Sequence, residues 1–233
     1  VKMKAKLLVE NWRSFLNEED QTKPITTKIR DEPQFFSIGL VPMSAKPFHK
    51  GHMFLIQEAA KRCENVIVYV SISNRSRKGE ITIHGEDMQF IWKNIITDYL
   101  PENVECIYGG SPVGNVYKFL GNISELGIVN PEYSFLDNVF SQGITGKETY
   151  AIYTGKDDAT RYQDEYYENI KDRVWIKEFS RGDDSPDISG TIMRSYLSNA
   201  SQDKLLFLDG LPDMDDEGKD KEEIFNILFR RLN

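Results

Sequence analysis

The stretch Phe35-Phe36-Ser37-Ile38-Gly39-Leu40-Val41-Pro42-Met43-Ser44-Ala45-Lys46-Pro47-Phe48-His49-Lys50-Gly51-His52 decides how this chain is read. The apolar run Phe35 to Val41 has the length and character of a buried strand, and a helical pattern opens at His52. Between them, two of the chain's three histidines bracket a glycine in the order HxGH. Gly51 allows close backbone approach to a ligand, and imidazoles three positions apart around a first helical turn face the same ligand. A helix N-terminus offers free N–H groups and a positive dipole, so the pattern predicts a phosphate-binding turn and makes nucleotide chemistry the leading function class. Pro47 stiffens the approach. Lys46 and Lys50 add positive charge, Lys46 as a candidate phosphate contact with a merely solvated lysine as its alternative.

Beyond this turn the chain alternates strand-like and helix-like segments. Helix His52 to Arg62 is followed by strand Asn65 to Ile72, helix Glu86 to Leu100, strand Val104 to Tyr108 and helix Val113 to Leu120. Residues 121 to 146 lack periodicity and read as an irregular insertion. Strand Tyr150 to Thr154, a helix from Asp158 to Ile170 and strand Arg173 to Phe179 come next. Helices near Thr191 to Asn199 and Gln202 to Leu208 follow, then an acidic linker, Asp213 to Asp220. A last amphipathic helix carries Ile224, Phe225, Leu228, Phe229 and Leu232. Short apolar runs separated by helical stretches are the signature of βαβ units. The expected fold is α/β, a Rossmann-like five-stranded parallel sheet with helices on both faces and helical extensions at both ends. At the N-terminus, Leu8, Trp12, Phe15 and Leu16 form an amphipathic arm, joined by a linker from Thr22 to Pro33. The expected organisation is arm and linker over 1–33, the main domain over 34–200 and a helical extension over 201–233.

Bulk properties narrow the classes. A chain of 233 residues can build one sizeable core, burying about 70% of its unfolded surface. Its 39% hydrophobic and 28% charged composition is that of an ordinary globular protein. A net charge of −8 opposes binding to a nucleic-acid polymer, whose affinity comes largely from Lys and Arg, so any nucleotide partner is expected to be small. Cys63 and Cys106 lie far apart within apolar stretches and read as buried, reduced thiols. No apolar stretch is long enough for a membrane span and no signal-peptide core is visible, so a cytoplasmic location without membrane contact is expected. Self-association into a homo-oligomer stays open.

A second motif, Asp187-Ile188-Ser189-Gly190-Thr191-Ile192-Met193-Arg194, stands just before a helix. Ser189 or Thr191 can serve simply as its cap. The same spacing also gathers two hydroxyls, free helix-end amides and a guanidinium, a set suited to triphosphate oxygens.

HxGH followed far downstream by ISxTxxR resembles the HIGH-superfamily nucleotidyltransferases, a group with adenylyltransferases and cytidylyltransferases; the resemblance covers residues 35 to 199. It implies transfer of a nucleoside monophosphate from an NTP co-substrate, ATP ahead of CTP, to a small phosphate-bearing acceptor. Pyrophosphate would be released with Mg2+ and no covalent enzyme intermediate, and no protein-held metal site is expected. By position, His49 and His52 would stabilise phosphate charge during attack at the α-phosphorus, with Arg194 and Lys46 also in catalytic roles. Ser189, Thr191 and Arg194 would hold the β- and γ-phosphates. Gly155-Lys156-Asp157-Asp158 resembles the family's G-x-D segment, which makes Gly155, Asp157 and Asp158 nucleotide contacts, with a capped turn as the alternative.

The segment Val41 to Lys46 departs from the family, where Gly followed by Arg or Phe often precedes the first histidine; this weakens any inference about the acceptor. Arg75, Arg77 and Lys78 would bind the acceptor's phosphate or else form a solvated loop. Gly110-Ser111-Pro112-Val113 would line the site or cap the next helix. His84 reads as a helix-start residue. A nucleotide-binding regulatory or scaffold module without turnover is the competing class. The related class I aminoacyl-tRNA synthetases are generally much longer and carry a KMSKS-type loop that is not evident here.

Overall fold

The computed structural model describes residues 31–127, 131–136, 140, 143–183, 185–214 and 217–231. Its centre is a five-stranded sheet in the order β3-β2-β1-β4-β5, formed by β1 (Phe36–Met43), β2 (Cys63–Val70), β3 (Val104–Tyr108), β4 (Tyr150–Gly155) and β5 (Val174–Phe179). Every neighbouring pair is parallel, with Phe36 opposite Cys63 and Ile38 opposite Tyr150. The fold class is thus the α/β, Rossmann-like one that the alternation of segments predicts.

The central strands are apolar almost throughout because both faces are covered. In β2, Val66, Val68 and Val70 join one hydrophobic cluster while Ile67 and Tyr69 join the other. The first face is covered by α1 (Lys50–Arg62) and α2 (Gly85–Asn94), which bury Ile56, Ala59, Ile91 and Trp92. Against the second face packs α3 (Pro112–Gly121), through Val116, Phe119 and Leu120. Three further helices, α4 (Gly190–Ser198), α5 (Ala200–Gly210) and α6 (Lys219–Arg230), return to the first face. Leu197, Phe207, Leu211, Ile224 and Leu228 all lie in that same core cluster, so packing is continuous from the domain body into the C-terminal helices.

Several boundaries differ from those the sequence predicts. The helix expected over 86–100 ends at Asn94 and gives way to a 3-10 turn, Ile96–Tyr99. Three successive β-branched residues, Ile95, Ile96 and Thr97, disfavour its continuation, and the Thr97 hydroxyl donates to the Lys93 carbonyl, 3.1 Å. The helix expected over 158–170 is a single turn, Lys156–Ala159, followed by a 3-10 segment, Asp164–Arg173, broken at Tyr167 (φ −144°, ψ 38°). Tyr162, Tyr167 and Ile170 all enter the second core, and their spacing does not fit one helical stripe; burial overrides local propensity. Within 121–146, Asn122–Leu126 forms a π-type turn, and Tyr133 and Leu136 of the 3-10 turn Pro131–Leu136 are buried. Cys63 is buried as expected but Cys106 is only half-buried, because β3 is an edge strand; both are free thiols. The N-terminal arm, most of its linker and Leu232 lie outside the described residues. Among the described residues, no helix is long and apolar enough to cross a membrane.

Strand order positions the site. The chain runs from β1 outward to β2 and β3, then crosses back to β4 on the other side of β1. Connections leaving the carboxyl ends of β1 and β4 therefore diverge, and a crevice opens between them.

Candidate active site

At the carboxyl end of β1 the chain turns through Ala45, with φ +46°, and reaches α1 with His49 at its N-cap. The His49 carbonyl accepts from the N–H groups of His52 (2.9 Å) and Met53 (3.3 Å), which closes the first turn. This brings the two imidazoles together, ring centroids 3.7 Å apart and planes 33° apart. Behind them, Phe48 stacks on His52 at 5.8 Å and meets the edge of Trp92 at 4.8 Å, so the pair rests on an aromatic support. A Cβ on Gly51 would stand 3.1 Å from the His49 ring, which explains why glycine separates the histidines.

Both imidazoles are held neutral. Burial, with the charges of Arg181 and Arg194, lowers the His49 pKa to about 3, and burial, then His49 and Arg181, lowers that of His52 well below its usual value. Among the described residues, neither Nδ1 has a hydrogen-bond partner. Two buried polar atoms without partners are costly, and they cluster at sites awaiting a ligand or water.

The second motif closes on the first. A Cβ on Gly51 would lie 3.5 Å from the Ile188 side chain, so the two motifs touch. Ser189 caps α4, its Oγ accepting from the Ile192 N–H at 3.2 Å, as the capping reading predicts. Arg194 is 3% exposed. Its Nη1 donates to the Lys46 carbonyl at 2.6 Å, its Nη2 to Thr191 Oγ1 at 3.0 Å and its Nε to Glu80 at 2.7 Å. Gly190 leaves room for this packing, because a Cβ there would crowd it, standing 2.9 Å from Nη1 of Arg194 and 3.3 Å from the Lys46 carbonyl oxygen.

Lys46 is not the solvated lysine of the alternative reading. Its side chain is buried, Nζ donates to the Ser71 carbonyl at 2.8 Å, and burial together with the Arg75 charge lowers its pKa to about 8. Lys50, by contrast, pairs at the surface with Asp209 of α5. Arg75 is half-buried on the loop after β2 and feels the charges of Arg77, Arg194, Glu80 and Arg161, while Lys78 is exposed. In a chain of net charge −8, Lys46, Arg75, Arg181 and Arg194 thus gather beside two neutral imidazoles, a field suited to a compact polyanion.

Gly155, Lys156, Asp157 and Asp158 lie at the carboxyl end of β4, across the crevice from the histidine pair. Gly155 has an ordinary extended backbone and the next three residues are exposed, with Asp158 paired to Arg161 at 3.1 Å. Ser111 caps α3 through a 3.3 Å bond from the Gly114 N–H. His84 is the N-cap residue of α2. Glu80 and Arg181 are the site residues that sequence reading passes over. Glu80 is the first acid after the basic run Arg75 to Lys78, and Arg181 follows β5 at the sheet's carboxyl end. Among the described residues, no three Asp, Glu, His or Cys side chains are gathered as for a metal ion.

Residues 38–84, spanning β1, α1, β2 and the loop to His84, match the family model described as citrate lyase ligase C-terminal domain. Among solved structures, the chain is similar to a bifunctional NMN adenylyltransferase/ADP ribose pyrophosphatase from Francisella tularensis, with 15% identity and a TM-score of 0.48 over 85% of this chain and 54% of that one. A second structure, described as complexed with AMP and Mn ion, gives 14% identity and a TM-score of 0.46, over 85% and 53% of the two chains. The chain spans about half the length of these structures. No curated protein matches it.

Proposed function

We propose that this chain, of the HIGH-type, cytidylyltransferase-like nucleotidyltransferase superfamily, transfers AMP, or less favourably CMP, from the triphosphate to a small phosphate-bearing acceptor. An acceptor oxygen attacks the α-phosphorus in line, the bond to the α–β bridging oxygen breaks, and pyrophosphate leaves. Such a reaction needs positioning and charge stabilisation more than a protein nucleophile. His49 and His52, whose pKa values burial and the neighbouring guanidiniums lower, gain protons more readily beside phosphate and donate hydrogen bonds to its oxygens. Arg194, Ser189, Thr191 and Lys46 stabilise the pyrophosphate side, with Gly51 giving room for close approach. Gly155, Asp157 and Asp158 contact the nucleoside across the crevice. Under this reading the catalytic domain is 34–200, with 201–233 an extension whose helices α5 and α6 pack on it.

The observation that carries the reading is the contact of the two motifs, with Arg194 bonded to the Lys46 carbonyl beside the paired imidazoles. A pyrophosphate-release assay across the four triphosphates and a panel of phosphomonoesters tests it. His52→Ala should lower turnover by about 10²- to 10³-fold. Triphosphate binding without release would favour a regulatory module instead, and unchanged turnover in His52→Ala would rule out the mechanism. The match over 38–84 to a ligase-named family favours a second reading, in which a carboxylate oxygen makes the same attack. Carboxylates in the acceptor panel separate the two.

A further inference from the structure

A guanidinium has five N–H donors, and three of those of Arg194 are engaged by protein, leaving one on each terminal nitrogen without a partner among the described residues. The engaged set includes an ion pair, Nε to Glu80 Oε2 at 2.7 Å, with both side chains largely shielded. Glu80 itself comes from a well-tied loop. Arg75 and Ile83 exchange backbone bonds of 2.8 and 2.9 Å, the Glu80 N–H donates to the Arg77 carbonyl at 3.0 Å, and the Gly85 N–H donates to Asn74 Oδ1 at 2.9 Å. The contact joins residues 114 positions apart and ties the loop after β2, with Arg75, to the second motif. Because Glu80 holds Nε, its carboxylate does not compete with an anion for the two remaining donors, which are on Nη1 and Nη2.

We propose that Glu80 is the positioning residue of the phosphate clamp: its carboxylate fixes the plane of the Arg194 guanidinium and closes loop 71–84 against the HxGH turn. This rests on the nucleotidyl-transfer reading above. A carboxylate there also opposes the incoming phosphates, so removing it should affect binding and turnover in opposite directions. Loss of position slows the chemical step, while loss of a negative charge strengthens attraction for the triphosphate.

The test compares wild type, Glu80→Ala and Glu80→Gln in pyrophosphate release, reading kcat and KM for ATP separately, with urea unfolding to confirm folding. Glu80→Ala should lower kcat by about 10- to 100-fold with KM unchanged or lower, and Glu80→Gln, whose amide oxygen still accepts from Nε, should restore kcat to within about threefold of wild type. A kcat in Glu80→Ala equal to wild type overturns the proposal, whether KM falls or not. A second readout is independent of turnover: the Arg194 Nε–H resonance, assigned through its loss in Arg194→Lys, should be slowly exchanging in wild type and Glu80→Gln and absent in Glu80→Ala. Persistence of that signal in Glu80→Ala overturns the proposal. If wild type releases no pyrophosphate from any triphosphate, the functional reading fails, and the resonance decides whether Glu80 orients Arg194.

Discussion

Lowering the pH from 7 to 5 should destabilise the protein through His49, by an amount the site geometry sets. His49 is 6% exposed, its Nδ1 has no partner among the described residues, and Arg181 and Arg194 disfavour a further positive charge. The native imidazole titrates at about 3, against an unfolded value of 6.5. Between those values the unfolded chain binds a proton that the native state refuses, so stability falls as pH drops below about 6.5. At pH 5 the loss from His49 alone is about 2 kcal/mol, the 1.5 pH units below the unfolded value at about 1.4 kcal/mol each. His52, lowered for the same reason, adds a loss of the same sign. Urea unfolding of wild type and His49→Gln at pH 7 and pH 5 measures the effect as the difference between their pH slopes. Identical slopes would refute the assignment of a neutral, desolvated imidazole. Saturating ATP should flatten the wild-type slope, because phosphate beside the ring raises the native pKa.

Three further perturbations probe the site and its scaffold. Gly190→Ala should cut pyrophosphate release about 10-fold and cost about 1 kcal/mol in urea unfolding, because the new Cβ pushes Arg194 Nη1 out of its short bond to the Lys46 carbonyl; a wild-type kcat would contradict the packing. Phe207→Ala should cost about 3–5 kcal/mol in the same measurement, since Phe207 is fully buried in the core shared by the sheet and the C-terminal helices. A cost under about 1 kcal/mol would show that α5 is an appendage. Glu148→Ala should cost about 3–5 kcal/mol yet leave kcat unchanged. Glu148 accepts from Thr145 and Gly146 and pairs with Arg173 just before β4, at the end of the sheet away from the site.

Much of the architecture is legible without coordinates. Strand-length apolar runs separated by helical stretches imply the parallel sheet, and the five predicted strands are those observed. Helix ends were less readable where the competing contact is distant: the segment 156–173 breaks because Tyr162, Tyr167 and Ile170 each find a place in the second core. In the candidate site, the two motifs are visible as short patterns, and the structure brings His49, His52, Ser189, Thr191, Arg194 and Lys46 together. It sets Gly155, Asp157 and Asp158 apart from them, across the crevice. Lys46 gives no sequence sign of being buried, since its environment is the end of β2. Glu80 is equally silent, because an acid beside three basic residues is indistinguishable from an ordinary solvated loop.

What the sequence determines by itself, then, is the set of elements and the two local turns, since hydrophobic period, capping hydroxyls and a glycine between two histidines act within a few residues of each other. Tertiary structure alone decided the strand order that opens the crevice, the neutral state of the imidazoles and the ties of Arg194 to Lys46 and Glu80. Those ties join residues 148 and 114 positions apart, and burial and charge at the turn depend on which distant side chains the fold places there.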